Sequence, residues 1–287
     1  MSVAHAATPP GTARLILVQG PVSDRTPGAM RGAAALARAL AERHGLEPEA
    51  LGEPDAAPRR ESWEPALRRA RPLLEAVSER LARSLVAGQR AIVVAGRCAN
   101  SIATLPRFAA AHEGLGVVWF DAHGDFHTPQ STPTGYLGGM VLSAAAGLWD
   151  SGLGAGLDPR RLVMVGARDL DPTELPLMDA HGVRRVPPGP DLVARLREAL
   201  PAGGGPLLVH VDWDVLDPAA FPAEYKVPGG LQPAELRACL AALAEMGRVV
   251  GLEAAEFDAP LDPHATAIAA AIGAEVLRPV VERLVAP

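Results

Sequence analysis

The feature that most constrains this chain is an alternation between short, nearly unbroken apolar runs and longer stretches in which apolar residues return every three or four positions. The runs fall at 14–19, 91–94, 116–120, 162–165, 206–211 and 249–252. A strand with one wetted face alternates apolar and polar side chains. A run without that alternation is buried on both faces, as in a parallel sheet covered by helices. The segments between the runs include 28–44, 63–86, 191–200 and 231–246, each with helical period. Strand, helix, strand repeated to the end predicts an α/β fold with a parallel sheet. Weaker strand candidates near Leu51 and over 183–186 bring the expected number of strands to about eight.

A doubly wound sheet of that size fits one domain, assigned to 13–287, with 1–12 as a loose tail. The Pro- and charge-rich stretch 46–61 and the Gly/Pro patches at 187–190 and 201–206 read as surface loops, because the same alternation continues on either side. With 48% of the 287 residues hydrophobic, a sizeable core is available. The net charge is −6, and Lys226 is the only lysine. Arginines are dispersed among more numerous acids, so nucleic acid and anionic membranes are not expected partners. Two cysteines, Cys98 and Cys239, cannot build a disulfide framework. No apolar run reaches about 18 residues, and the first residues lack a basic-then-apolar leader. The expected compartment is a reducing cytoplasm.

In open parallel sheets, ligands collect at the carboxyl ends of strands. The run ending at Phe120 is followed by Asp121, His123 and Asp125; the run ending at Val211 is followed by Asp212, Asp214 and Asp217. Side chains two apart in extended chain share a face, which groups Asp121 with His123 and Asp212 with Asp214. An isolated Asp-x-Asp or Asp-x-His is common in loops and caps. Two such pairs directly after buried strands are different, because crowded, desolvated carboxylates repel unless a cation neutralises them. Acids with one histidine favour a hard divalent ion such as Mn²⁺, and several carboxylates can bridge two ions.

Asp121-Ala122-His123-Gly124-Asp125 and Asp212-Trp213-Asp214-Val215-Leu216-Asp217-Pro218 resemble the two diagnostic motifs of the ureohydrolase family of arginases, agmatinases and formiminoglutamases. The likeness extends through Thr128-Pro129, Gly135, Val165-Gly166-Ala167-Arg168-Asp169-Leu170-Asp171-Pro172, Gly229-Gly230-Leu231 and Glu256, from about Ala91 onward. It implies a single three-layer α/β/α domain around an eight-stranded, mostly parallel sheet, a paired Mn²⁺ site and a homo-oligomer. It also implies hydrolysis of a linear C–N bond in a guanidino-type molecule, such as Nω-hydroxy-L-arginine or arginine, by a metal-bridging hydroxide. By the same resemblance, Asp121 and Asp212 bridge both ions, Asp125 holds one of them, and His123 and Asp214 hold the other. Asp125 is also the catalytic acid/base, and Glu256 pairs with the substrate's cationic group. Asp171 and Glu174 face its α-ammonium and Thr134 its carboxylate.

Two positions depart from the family pattern. Where arginases carry Gly-Gly-Asp-His, this chain reads Ala95-Gly96-Arg97-Cys98, which places Cys98 at a ligand histidine. The sequence thereby resembles a cysteine-containing, arginase-like branch that includes a hydroxyarginine hydrolase. A thiolate suits a hard ion poorly, so the ion beside Cys98 is expected to be weak, absent or a different metal. The second departure is in Gly135-Tyr136-Leu137-Gly138-Gly139, where glycine stands in place of the arginase proton-shuttle histidine. A less basic hydroxyguanidine needs that histidine less, and His127 either takes over proton transfer or makes a plain polar contact.

The bland readings make Asp171 a helix cap, Cys98 a small core residue, and Glu253 a stand-in for Glu256. His210 is read as packing or as a partner of the ligands, and His5, His44, His112 and His181 as solvated. Two alternative functions remain open from sequence. One is a single-metal, deacetylase-like amidohydrolase, against which the missing His-His pair argues. The other is a catalytically impaired ligand-binding relative, against which the retained acids argue.

Overall fold

The computed structural model describes residues 13–287 other than 56 and 58; the expected tail at 1–12 lies outside the described residues. The chain runs β1 (Ala13–Val18), α1 (Gly28–His44), β2 (Pro48–Leu51), α2 (Trp63–Val86), β3 (Arg90–Val94), α3 (Ser101–Ala111) and β4 (Gly116–Phe120). It continues with α4 (Val141–Ala145), β5 (Leu162–Val165), α5 (Leu175–Ala180), β6 (Arg184–Val186), α6 (Leu192–Ala199), β7 (Leu207–Asp212), α7 (Pro233–Glu245), β8 (Val249–Ala255) and α8 (Pro263–Val285). All eight strands form one sheet in the order β2-β1-β3-β8-β7-β4-β5-β6, and every pairing is parallel.

Helices cover both faces. Leu36 and Leu40 of α1, Leu196 of α6, Leu240 of α7 and Leu277 of α8 pack with one face of the strands. Leu74 and Leu81 of α2, Ile102 and Phe108 of α3, and Leu142 of α4 pack with the other. The unbroken apolar runs are thus buried on both sides, as their composition requires. The two weak strand candidates, β2 and β6, are the sheet's edges and are partly exposed, which is why their apolar signal is thin. No segment beyond 246 is singled out as a helix from sequence, yet α8 follows β8. Asp262 accepts from the backbone N–H groups of His264 and Ala265 at its start, as an N-cap does. No helix among the described residues is long and apolar enough to cross a membrane.

Candidate active site

The middle four strands, β3-β8-β7-β4, deliver the polar residues. Trp119 of β4 is in register with His210 of β7, which is in register with Glu253 of β8. Two residues further along β4 and β7, on the same face, come Asp121 and Asp212. The backbone pairing that buries these strands therefore also forces two carboxylates side by side. Asp212 turns the chain by accepting from the N–H of Asp214 at 2.8 Å, and Asp121 does the same for the N–H of His123 at 2.7 Å. Each Asp-x-acid or Asp-x-His step is thus a turn that aims its second side chain back at the strand end.

The result is two overlapping groups of possible ligands: Cys98, Asp121 and Asp212, and Asp121, His123 and Asp214. In each, one donor atom per residue lies within 4.8 Å of the others. Asp125 falls in neither group but lines the same cavity as Cys98, His123, Asp212 and Asp214. It takes a left-handed backbone, φ 49°, and so does Glu256, φ 69°. Such backbone costs a non-glycine residue about 1 kcal/mol or more and is retained where a side chain must point one way.

Electrostatics decide what this cluster fits. Burial, then the neighbouring Asp121 carboxylate, pushes Asp125 well above the usual range. Burial, then Asp214 and Asp121, does the same to Asp212. Burial also opposes charge on His123, but hydrogen bonds to Asp121 and Asp214 hold it up to about 12. Asp214 Oδ2 lies buried 3.0 Å from His123 Nδ1. Hard oxygen donors in mutual repulsion, with one imidazole among them, fit divalent cations.

Cys98 is buried. Its Sγ lies 3.0 Å from Asp212 Oδ2 and 3.2 Å from His210 Nε2. Burial, followed by the Asp212 and Glu256 charges, pushes the thiol up. His210 is stacked on Trp119 with ring centroids 3.4 Å apart, and its Nδ1 is 3.0 Å from Glu253 Oε2. Both readings of His210 are realised: it packs on Trp119 and touches a candidate ligand. Glu253 is tied up by Ser101 at 2.8 Å and by Thr104, and it is not in the cavity wall.

Glu256 is in that wall, held at Oε1 by the Cys98 N–H at 2.9 Å and at Oε2 by Arg97 at 2.6 Å. Burial raises it to about 7 against the pull of Arg97. Arg97, fully buried, also pairs with Asp24 at 3.4 Å and with Glu224. Sequence reasoning missed this residue as a support of Glu256, although it directly precedes Cys98.

The cavity, about 340 Å³, is lined also by His127, Thr134, Asp171 and Glu174, the expected substrate contacts besides Glu256. His127 is 3.3 Å from Ser131 Oγ through Nδ1, and burial lowers its basicity. Glu174, buried, accepts from the Phe126 N–H at 2.6 Å, and burial raises it to about 7. Asp171 sits at the rim and accepts from Thr173 N and Oγ1, both at 2.8 Å. The capping reading of Asp171 is corrected in position: it caps the turn before α5, and Glu174 occupies the cap of α5 itself. Likewise His44 and His112 are half buried with Nε2 shielded from water, not solvated, because His44 ends a helix packed on the sheet and His112 directly follows another. Cys239 is fully buried in α7.

Three further lining residues escaped the sequence reading: Arg25, Tyr136 and Tyr225. Arg25 follows β1 and was open to the strand-end rule. The two tyrosines lie in long loops and carried no local signal. Arg168, inside the quoted motif, donates to the carbonyls of Asp214 at 2.9 Å and Val227 at 2.7 Å, which ties down the loop that presents Asp214.

Comparison with known proteins gives a consistent picture. The chain matches the arginase family over residues 17–278. It is 44% identical over 266 residues to the N(omega)-hydroxy-L-arginine amidinohydrolase of Streptomyces lavendulae, covering 92% of this chain and 96% of that one. The structure is similar to Bacillus subtilis arginase, with a TM-score of 0.80 and 22% identity, covering 94% and 98% of the two chains. It is also similar to proclavaminate amidino hydrolase from Streptomyces clavuligerus, with a TM-score of 0.70 and 23% identity, covering 96% and 94%.

Proposed function

The chain belongs to the arginase family, hydrolases of guanidino C–N bonds, and on that premise we propose that its substrate is a hydroxyguanidino amino acid, Nω-hydroxy-L-arginine in the first instance. The observation that carries the reading is convergence. Cys98, His123, Asp125, Asp212 and Asp214 meet in one cavity that also presents Glu256, Asp171 and Glu174. Agreement with the activity named for the Streptomyces lavendulae relative supports it.

Two Mn²⁺ ions are the proposed cofactors. Cys98, Asp121, Asp125 and Asp212 would hold one, and Asp121, His123, Asp212 and Asp214 the other. Bound divalent ions supply Lewis-acid polarisation and lower the pKa of water to near neutrality. The residues of the chain do the rest. Glu256, fixed by Arg97 and by the Cys98 N–H, keeps lone pairs free to orient the N–H groups of the guanidino end. Asp125, in the cavity wall, takes a proton from the attacking water and passes it on to the chain nitrogen as the C–N bond breaks. Water's oxygen stays on the carbon of the departing hydroxyurea. Asp171 at the rim and Glu174, buried in the wall, face the α-ammonium. Thr134, His127 and the missed Arg25 are placed to take the carboxylate.

A second reading has its own support. The Cys98 thiol, held between Asp212 and His210 and pushed up by burial, favours a single ion at the His123 side. We also infer one domain over 13–287, a homo-oligomer, and a cytoplasmic compartment, the last supported by two unpaired cysteines.

The test is a screen of guanidino and hydroxyguanidino compounds with added Mn²⁺, reading urea and hydroxyurea, alongside metal content per chain. Expected is a higher kcat/KM for Nω-hydroxy-L-arginine than for L-arginine, with agmatine poorer still. A kcat/KM for arginine equal to or above that for the hydroxy compound overturns the proposed substrate. Two ions per chain support the paired site and one supports the second reading.

A further inference from the structure

The backbone at Gly138 is ordinary, since it is absent from the left-handed residues, so conformation does not demand glycine there. Space does. A Cβ at 138 would sit 2.9 Å from Cζ of Tyr136, and closer still to its Cε1. The Tyr136 ring has taken the volume that a side chain at 138 would need. On another side the ring is covered by the Arg25 guanidinium, 4.2 Å from its centroid, an attractive cation–π contact. Arg25 is itself held by the Tyr225 hydroxyl at 3.2 Å, and Tyr225 stands edge-on to His123 with centroids 5.3 Å apart. Tyr136 is therefore a fixed wall.

Its hydroxyl is the anomaly. The Tyr136 oxygen is buried and has no hydrogen-bond partner, although the residue lines the cavity with Glu256. A phenol is both donor and acceptor, and a buried one without a partner is costly unless something supplies the bond. A guanidinium offers donors only, so it leaves the phenol proton unmatched. An N-hydroxyl offers a donor and an acceptor together. We propose that Tyr136 is a specificity-determining residue whose hydroxyl pairs with the N-hydroxyl of a hydroxyguanidino substrate, and that tyrosine at 136 and glycine at 138 are one linked choice. The pairing rests on the substrate class proposed above; the linkage between 136 and 138 does not.

Two measurements test the two halves. Tyr136→Phe keeps the ring and removes only the hydroxyl. In the Mn²⁺-loaded protein its kcat/KM for Nω-hydroxy-L-arginine is expected to fall about tenfold or more, as for a site built around a substrate hydroxyl, while that for L-arginine changes less than about threefold. Equal loss on both substrates, or loss on neither, overturns the pairing. If the wild type turns over neither compound, the substrate reading falls and the pairing with it. The linkage is read by melting: Gly138→Ala is expected to lower Tm in the parent and to be neutral in a Tyr136→Ala background. The same Tm change in both backgrounds overturns the linkage.

Discussion

At the scale of single residues, Cys98 and Asp121 answer different questions. Asp121 is fully buried, belongs to both ligand groups, and is fixed by Trp119 Nε1 at 2.8 Å. Asp121→Ala is expected to abolish metal loading, and Asp212→Ala to do the same if both residues bridge. Two metals retained in either variant, by elemental analysis, would remove the paired assignment. As a ligand, Cys98 would set the quality of one ion. Cys98→His hardens that ligand set and is expected to keep or raise Mn²⁺ content, while Cys98→Ala lowers it. Unchanged content and activity in both variants make Cys98 a core residue and nothing more.

At the scale of elements, the site depends on how closely α1 approaches the chain leaving β8. Gly32 of α1 lies against the Phe257 backbone, where a Cβ would meet the carbonyl oxygen in hard overlap and the carbonyl carbon at 2.8 Å. Phe257 follows Glu256. A methyl at 32 therefore pushes either the helix or the segment carrying the cavity carboxylate. Gly32→Ala gains helix propensity, but overpacking against backbone costs about 1–3 kcal/mol. The expected net result is a Tm lower by several degrees and a weakened kcat/KM. A melting temperature at or above the parent's would show that α1 can shift freely.

For the whole molecule, the cluster couples stability to metal and to pH. Removing divalent ions with a chelator is expected to lower Tm, and re-adding Mn²⁺ to restore it, because a ligand that binds only the folded state stabilises it. Among the acids, Glu174 gives a defined pH window. Burial raises it from its ordinary 4.5 to about 7 in the fold, so the folded state binds more protons than the unfolded state between those values. Stability from this group is full below about pH 4.5 and is lost as pH rises through about 7, by roughly 3 kcal/mol. Glu174→Gln, which still accepts from Phe126, is expected to flatten the fall in Tm between about pH 5 and 7.5 in chelator-treated protein. A fall of undiminished slope would assign the window to Glu256, which burial also raises to about 7, or to Asp125 and Asp212.

The fold class, the central strands and most of the candidate ligands were determined by the sequence itself, and the reason is local. An unbroken apolar run of four to six residues, such as Gly116–Phe120, can be satisfied only by burial on both faces, and an acid placed directly after it must sit at a strand end. Edge strands β2 and β6 read faintly because partial exposure relaxes that demand. What the tertiary structure decided is non-local. Arg97 became the support of Glu256 only because β3 and β8 are neighbours, joining residues 159 apart in sequence. Tyr136 came against Arg25 because the β1 and β4 loops meet over one cavity. No spacing rule couples positions on separate strands until sheet order does. The candidate ligands other than Cys98 therefore lie in two short motifs, whereas Arg97, Arg25 and Tyr136 were brought to them only by the packing of distant segments.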